Sequence, residues 1–323
     1  MLGRYDVLHE EAAGAAGLGP DHDSPPEAPA VEFRHVSLSF DGKPALRDVS
    51  FRLRRGQMIC VTGASGSGKS VLLRLAIGFL KPDAGQIFVG GREIEALEED
   101  ELLDIRGRLL CFVPQEESLF TGLTVYENAA YRLAERRRPA EEIDAAVREA
   151  LHFVGLEEDD DKLPEELSGG MKRRLEIARA FVGWPPIMLF DEPTSGLDPL
   201  NEGQVLDLII RARDLRGISS LLVTKQLHQI PYLAKHQAVE GAGGVEVREA
   251  TGMDAPDVLV LFLHEGGVAF FGTPDEFSEC AAPAVTYLTK ASADAPHTPS
   301  SVADPWGRKR RPVRGAVKSE AVG

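Results

Sequence analysis

The stretch "MICVTGASGSGKS", Met58–Ser70, constrains this chain more than any other. Its apolar half predicts a buried strand. Its second half, Gly63–Ser70, has the form G-x-x-x-x-G-K-[ST], and "KSVLLRLAIGFL" follows with helical spacing. A strand that delivers glycines to a helix start makes a cradle of backbone N–H groups at the positive end of a helix dipole, which is an anion site. Gly63, Ala64, Ser65, Gly66, Ser67 and Gly68 are the candidate phosphate loop. Lys69 supplies a point charge for the outer phosphates of a nucleotide, and Ser70 a hydroxyl for Mg²⁺. A flexible Gly/Ser turn without function would need neither flank.

Two further stretches carry the same chemistry. In "PPIMLFDEPTSGLDP" an apolar run, Ile187–Phe190, predicts a strand that ends on Asp191 and Glu192. One carboxylate can hold the metal through water, and the next can orient an attacking water, as phosphoryl transfer requires. In "LSGGMKRRLEIARAF" Ser168, Gly169 and Gly170 precede a helix with Leu175, Ala178 and Phe181 as its apolar stripe. This is a second anion site or, more plainly, a helix cap. One nucleotide does not need two phosphate-binding helix starts. Two make sense if two copies of the chain clamp ATP between them.

The order of elements sets the fold class. Val31–Phe40 alternates as a half-buried strand, "DGK" at Asp41–Lys43 is a hairpin turn, and "DVSFRL" is the returning strand. Helical patterns follow over 69–79, 98–103, 125–133, 140–154 and 171–182, with buried strands over 109–113, 187–191 and 220–224. Strands alternating with helices predict an α/β fold with a mostly parallel sheet. The antiparallel start predicts a β side subdomain, and the helical block about 115–180 an inserted helical subdomain.

The chain has 323 residues and a net charge of −15, which opposes binding to nucleic acid. Cys60, Cys111 and Cys280 form no CxxC pair, which fits a reducing compartment. The longest apolar run, Val258–Leu263, is too short to span a bilayer. Residues 1–30 are rich in Ala, Gly, Pro and Asp, carry a net −5, do not read as a signal peptide and are expected to be a disordered leader. Residues 291–323 are expected to be a loose tail. Its basic run, Gly307–Lys318, reads as a solvated segment or a contact for anionic headgroups.

Taken together, these motifs resemble those of the ATP-binding subunits of ABC (ATP-binding cassette) transporters, over about residues 31–290. The resemblance implies a P-loop NTPase ABC nucleotide-binding domain that hydrolyses ATP with Mg²⁺. It makes Gly63–Ser70 the Walker A loop, "LSGGM" the signature and Ser195–Asp198 the D-loop. It places Asp191 on Mg²⁺ through water, Glu192 as catalytic base, and Gln115 of "FVPQE" as a metal ligand that senses the membrane partner. Phe40 falls where an aromatic ring stacks on adenine; the alternative is a core aromatic at a strand end. Asp104, Ser118 and the arginines near Arg136 read as surface residues. The implied partners are a second copy of the chain and an integral-membrane permease, with the protein cytoplasmic and peripheral on the inner face of the membrane. Met171, Arg173, Arg174 and the Ser118–Phe120 region resemble the ATPases of Mla/MCE-type intermembrane phospholipid transport systems, which implies lipid transport with an MCE-type lipid-binding protein. The competing class is a soluble ABC ATPase that transports nothing and serves assembly, cell division or regulation.

Two features depart from the family pattern. The strand Ser220–Thr224 runs into Lys225 and Gln226, where the family has a switch histidine and an acid; Lys225 lies 33 residues after Glu192, which suits that position. A charged lysine can donate to a γ-phosphate but cannot accept, so it cannot orient through two faces as imidazole does. Lys225 is therefore a substitute phosphate contact, the mark of a weakened ATPase, or a side chain turned away with His228 in its place. The second departure is a Gly-rich acidic insertion at about 236–257, expected to be a surface excursion.

Overall fold

The computed structural model describes residues 28–241, 244–251 and 255–280. Nearly all of the expected leader and the whole of the expected basic tail lie outside the described residues.

β1 (Val31–Phe40) and β2 (Lys43–Leu53) form the first hairpin. Asp41 and Gly42 both have positive φ, 50° and 74°, the mark of a two-residue turn that matches strand twist. β1 also pairs antiparallel with β4 (Ala84–Val89), which carries β5 (Arg92–Glu93), so this sheet runs β2-β1-β4-β5.

The central sheet holds β3 (Met58–Gly63), β6 (Leu110–Val113), β7 (Ile187–Asp191), β8 (Ser219–Val223), β11 (Val258–His264) and β12 (Gly267–Gly272). Its order is β12-β11-β3-β8-β7-β6, and every pair is parallel except β11 with β12. β3, β7 and β8 are buried along their whole length, as expected of parallel strands covered on both faces. The pleat separates two cores. Met58, Cys60, Met188, Phe190 and Leu222 face one, and Ile59, Val61, Ile187, Leu189, Leu221 and Val223 the other.

Helices close both faces. α1 (Lys69–Ala76) packs with the antiparallel sheet on the second core. α2 (Glu99–Arg108) precedes β6. α3 (Val125–Glu135), α4 (Ala140–Val154) and α5 (Gly169–Phe181) pack on one another and on the first core. α6 (Pro199–Arg216) starts at an Asp198 cap that accepts from the Leu200 and Asn201 amides at 3.0 and 3.1 Å, and ends at Gly217 with φ 62°. α7 (Gln229–Lys235) and α8 (Pro274–Glu279) complete the described helices. Among the described residues no helix is long and apolar enough to cross a membrane.

The structure corrects several local expectations. The helix expected over 69–79 stops at Ala76, because Gly78 takes φ 72°. The helix expected to start at Met171 starts at Gly169. The insertion, expected as a surface excursion, holds two strands: β9 (His236–Gly241) and β10 (Gly244–Glu249) pair antiparallel and are half-buried or exposed except at Ala238, which is buried in the first core beside α6.

Candidate functional site

The phosphate loop leaves β3 beside β11 and β8, at the carboxyl end of the parallel strands, where open α/β sheets place ligands. Gly63 has φ 146°, and a Cβ on it would lie 2.2 Å from the Leu263 carbonyl oxygen of β11. Gly68 has φ 98°, and a Cβ there would lie 2.6 Å from the Ala45 carbonyl oxygen of β2. Both positions accept glycine alone, so the loop is gripped between two strands. Ala64, Ser65 and Gly66 are exposed, while Ser67 is buried with Oγ lacking a partner among the described residues.

Lys69 is buried at the start of α1, and its ammonium donates to the Gly63 and Ala64 carbonyls at 2.9 and 2.7 Å. Burial pulls its pKa down and Lys225 adds to this, while Glu192 and Asp191 oppose. Asp191 ends β7. Burial pushes its carboxyl above the usual range, and a hydrogen bond from the Ser70 hydroxyl pulls the other way. Its Oδ1 is buried with no hydrogen-bond partner among the described residues. An orphaned carboxylate oxygen beside a hydroxyl is a donor set that fits a hard cation. Among the described residues no three His, Cys, Asp or Glu cluster at metal-binding distance.

Glu192 follows at φ 47°, unusual for a residue with a side chain. Its backbone is fixed at both ends. The amide donates to the Val223 carbonyl at 2.9 Å, and its carbonyl accepts from the Ser195 amide at 3.0 Å and Arg173 Nη2 at 3.3 Å. Its carboxylate meets two residues from other loops. Lys225 Nζ lies 2.7 Å from Oε1, and Gln115 Nε2 donates to Oε2 at 3.4 Å. Gln115, Glu192 and Lys225 follow β6, β7 and β8, neighbours in the sheet. Lys225 is therefore turned toward the site, not away from it. His228 instead lies 2.6 Å from Glu202.

Ser168 caps α5, accepting from the Met171 amide at 3.3 Å, and is exposed with Gly169. Gly169 and Gly170 form the first turn of α5, so the free amides of that turn belong to the signature itself. Gly170 is buried, and a Cβ on it would lie 1.9 Å from Asn201 Oδ1. Phe40 ends β1 and is 46% exposed, which corrects the core alternative.

Sequence reading missed a layer beneath these loops. Arg173 and Glu176 are buried in α5 and paired at 2.6 Å. Ser118, expected at the surface, donates its amide and hydroxyl to Glu176 at 2.6 and 3.1 Å. Arg136, also expected there, lies over Gly107 and donates to the Leu103 carbonyl at 3.1 Å. The one signal for the first pair was Arg and Glu at i, i+3 on a helix, a spacing equally common on solvated faces.

The fold and the order of these loops define a P-loop nucleoside-triphosphatase. Comparison with known proteins narrows this. A family described as ABC transporter matches residues 46–195. Protein TRIGALACTOSYLDIACYLGLYCEROL 3, chloroplastic, of Arabidopsis thaliana is 34% identical over 304 residues, covering 91% of this chain and 82% of its own length. The methionine import ATP-binding protein MetN of Caulobacter vibrioides is 39% identical over 236 residues, covering 72% of this chain and 69% of its own length. That of Carboxydothermus hydrogenoformans is 36% identical over 218 residues, covering 67% and 64%. The chain thus spans about two thirds of these methionine-import relatives. Among solved structures, the ATP-binding cassette MJ0796, in a dimeric post-hydrolysis state bound to ADP and Pi, superposes with a TM-score of 0.63 at 26% identity, over 76% of this chain and 98% of that one. The chain belongs to the ABC transporter family. It carries the ATP-binding cassette of that family and is an ATPase of the transport-coupled kind, with the α/β P-loop fold expected from its motifs.

Proposed function

We propose that this chain is the ATPase subunit of a membrane transporter that moves lipid, working as a head-to-tail dimer docked on an integral-membrane permease. The observation that carries the catalytic part is the meeting of Gln115, Glu192 and Lys225 at the edge of the phosphate loop, with Asp191 Oδ1 beside them buried and without a partner among the described residues.

The roles follow from the chemistry of each group. Backbone amides from Gly63 to Gly68, with Lys69, receive the β- and γ-phosphates. Ser70, Asp191 and Gln115 would hold Mg²⁺, which would neutralise phosphate charge. Glu192, held at positive φ with its side chain 12% exposed, takes the proton of the attacking water. Lys225 donates to the γ-phosphate in place of the family's histidine. Phe40 stacks on adenine. Ser168, Gly169 and Gly170 offer the first turn of α5 to the nucleotide held by the partner copy, which accounts for a second anion site in a chain that binds one nucleotide per cradle. The similar MJ0796 cassette is dimeric, which supports pairing of two copies.

Lipid as cargo rests on the Arabidopsis relative, which is named for a galactolipid and aligns over 91% of this chain, more than the methionine-import relatives do. Met171 and the Arg173–Arg174 pair in the signature helix agree with a phospholipid system that includes an MCE-type lipid-binding protein. A peripheral place on the inner face of the membrane follows from docking on a permease.

The test is to purify the chain with its membrane partner in detergent, identify bound lipid by mass spectrometry, and compare ATPase stimulation by phospholipid and by methionine. Stimulation by phospholipid supports the reading. Stimulation by methionine alone replaces the cargo. Absence of any membrane partner turns the chain into a soluble ABC ATPase. In the same assay Glu192→Gln should abolish turnover and accumulate an ATP-bound dimer; undiminished hydrolysis would remove Glu192 as the base.

A further inference from the structure

We infer that Arg173 is a positioning residue for ATP hydrolysis, which locks the Glu192 peptide and the start of the Gln115 loop into one rigid unit. The inference rests on the reading of Glu192 as base.

Arg173 is 7% exposed, and its guanidinium serves four acceptors. Nε donates to the Pro193 carbonyl at 2.6 Å and Nη2 to the Glu192 carbonyl at 3.3 Å. Nη1 donates to the Pro114 carbonyl at 2.8 Å and to Glu176 Oε2 at 2.6 Å. Three of these acceptors are peptide oxygens of the loops that carry the catalytic side chains. Pro114 immediately precedes Gln115, and Pro193 immediately follows Glu192. One planar fork thus fixes both loops from below, while Gln115 and Glu192 meet above it.

Glu176 anchors the fork in turn. Its Oε1 accepts from the Ser118 amide and hydroxyl, and Arg179 donates to the Ser118 carbonyl at 2.8 Å. The network therefore runs from the loop after β6, through α5, to the loop after β7. Glu192 needs such support. A positive φ at a residue with a side chain persists only where surrounding contacts over-determine it. Arg173 bonds its carbonyl and that of its neighbour. Lysine lacks the fork and cannot serve four acceptors in one plane.

A residue that places the base without touching nucleotide acts on turnover and spares affinity. Arg173→Lys is expected to lower kcat by about tenfold to a hundredfold, the cost of misplacing a catalytic group by about 1 Å, and to leave the KM for ATP within about twofold. Because Gln115 acts through the same unit, its substitution and that of Arg173 are non-additive in kcat: the lysine change costs less in a Gln115→Ala background. Should Arg173→Lys fail to fold, Arg173→Met with Glu176→Gln removes both charges, leaves an acceptor for Ser118, and is read in the same way. Unchanged kcat, or a fall in kcat matched by lost ATP affinity and a lowered melting temperature, overturns the positioning role. Glu192→Gln run alongside separates the two claims: if it still turns over, the base assignment has failed, whatever Arg173 does.

Discussion

The Lys225 ammonium lies 2.7 Å from the Glu192 carboxylate, at the point where β8 and β7 deliver their next loops. Lys225 is 45% exposed and Glu192 12%, so the pair is lopsided: the carboxylate is held in the protein and the lysine reaches in from its rim. A lysine has three donors, so it can keep the carboxylate in place and still donate to a phosphate oxygen. A charge-assisted hydrogen bond of this kind contributes about 1.5–3 kcal/mol. Lys225→Ala is therefore expected to reduce kcat about 10- to 100-fold with a smaller effect on KM. Steady-state ATPase assays decide it. Turnover that survives the alanine would remove Lys225 from the mechanism, and turnover that rises in Lys225→His would make the pair a brake on the base.

The signature turn gives a steric prediction. A methyl group on Gly170 would collide with the Asn201 amide 1.9 Å away, and Asn201 is tied to Asp198, whose carboxylate caps α6. Gly170→Ala is expected to displace Asn201 and lower the melting temperature. Adding Asn201→Ala makes room and restores it. If the first turn of α5 faces the partner's nucleotide, ATPase activity stays low in the double variant although the fold recovers. A double variant with both stability and turnover restored would leave the turn as packing alone.

Phe40 makes a simpler claim. Its ring is 46% exposed at the end of β1, with no core to fill. Stacking of a base on an aromatic ring is worth about 1–3 kcal/mol. Phe40→Ala is expected to raise the KM for ATP at least about fivefold with kcat little changed, and Phe40→Tyr to preserve it. Equal KM values for all three proteins would remove the ring from the adenine site.

Much of this architecture was legible because its signals are local. β1, β7 and α4 lie where alternation, an apolar run and helical spacing put them. The phosphate loop and the Asp191–Glu192 pair were legible for the same reason: a few consecutive residues carry the whole chemical requirement. What escaped notice is non-local. In α6 the buried positions Val205, Leu206, Leu208, Ile209, Ile210 and Ala212 surround the helix instead of forming one stripe, because it is covered on several sides, so no helical periodicity marks it. β4 opens with exposed Ala84, Gly85 and Gln86 and takes its shape from pairing with β1. Arg173 reads as one of three consecutive basic residues; only the fold shows that it turns inward while Lys172 pairs with Glu117 near the surface.

A pH-sensitive contact lies where α6, α7 and β9 meet. Asp207 of α6 accepts from the Tyr232 hydroxyl of α7 at 2.6 Å, and Tyr232 stacks on His236 at the start of β9. Burial pushes the Asp207 carboxyl above its usual range, with Tyr232, His236 and Arg211 pulling it back. The folded chain therefore holds the Asp207 proton more readily than the unfolded chain does. In the window between the ordinary carboxylate value and the raised one, the folded state binds more protons, so this group makes stability fall as pH rises. Above the raised value the full cost of a half-buried charge is present; below the ordinary value it is gone. Asp207→Asn removes the charge and keeps an acceptor for Tyr232. It is expected to raise the melting temperature by a few degrees at pH 8, with the gain shrinking as pH falls toward about 4. Thermal melts of both proteins across that range measure it. A gain that is flat with pH, or a loss at pH 8, would mean that the Asp207 charge is balanced by its partners, and the join between α6, α7 and the β9–β10 hairpin would then be held by the charged carboxylate.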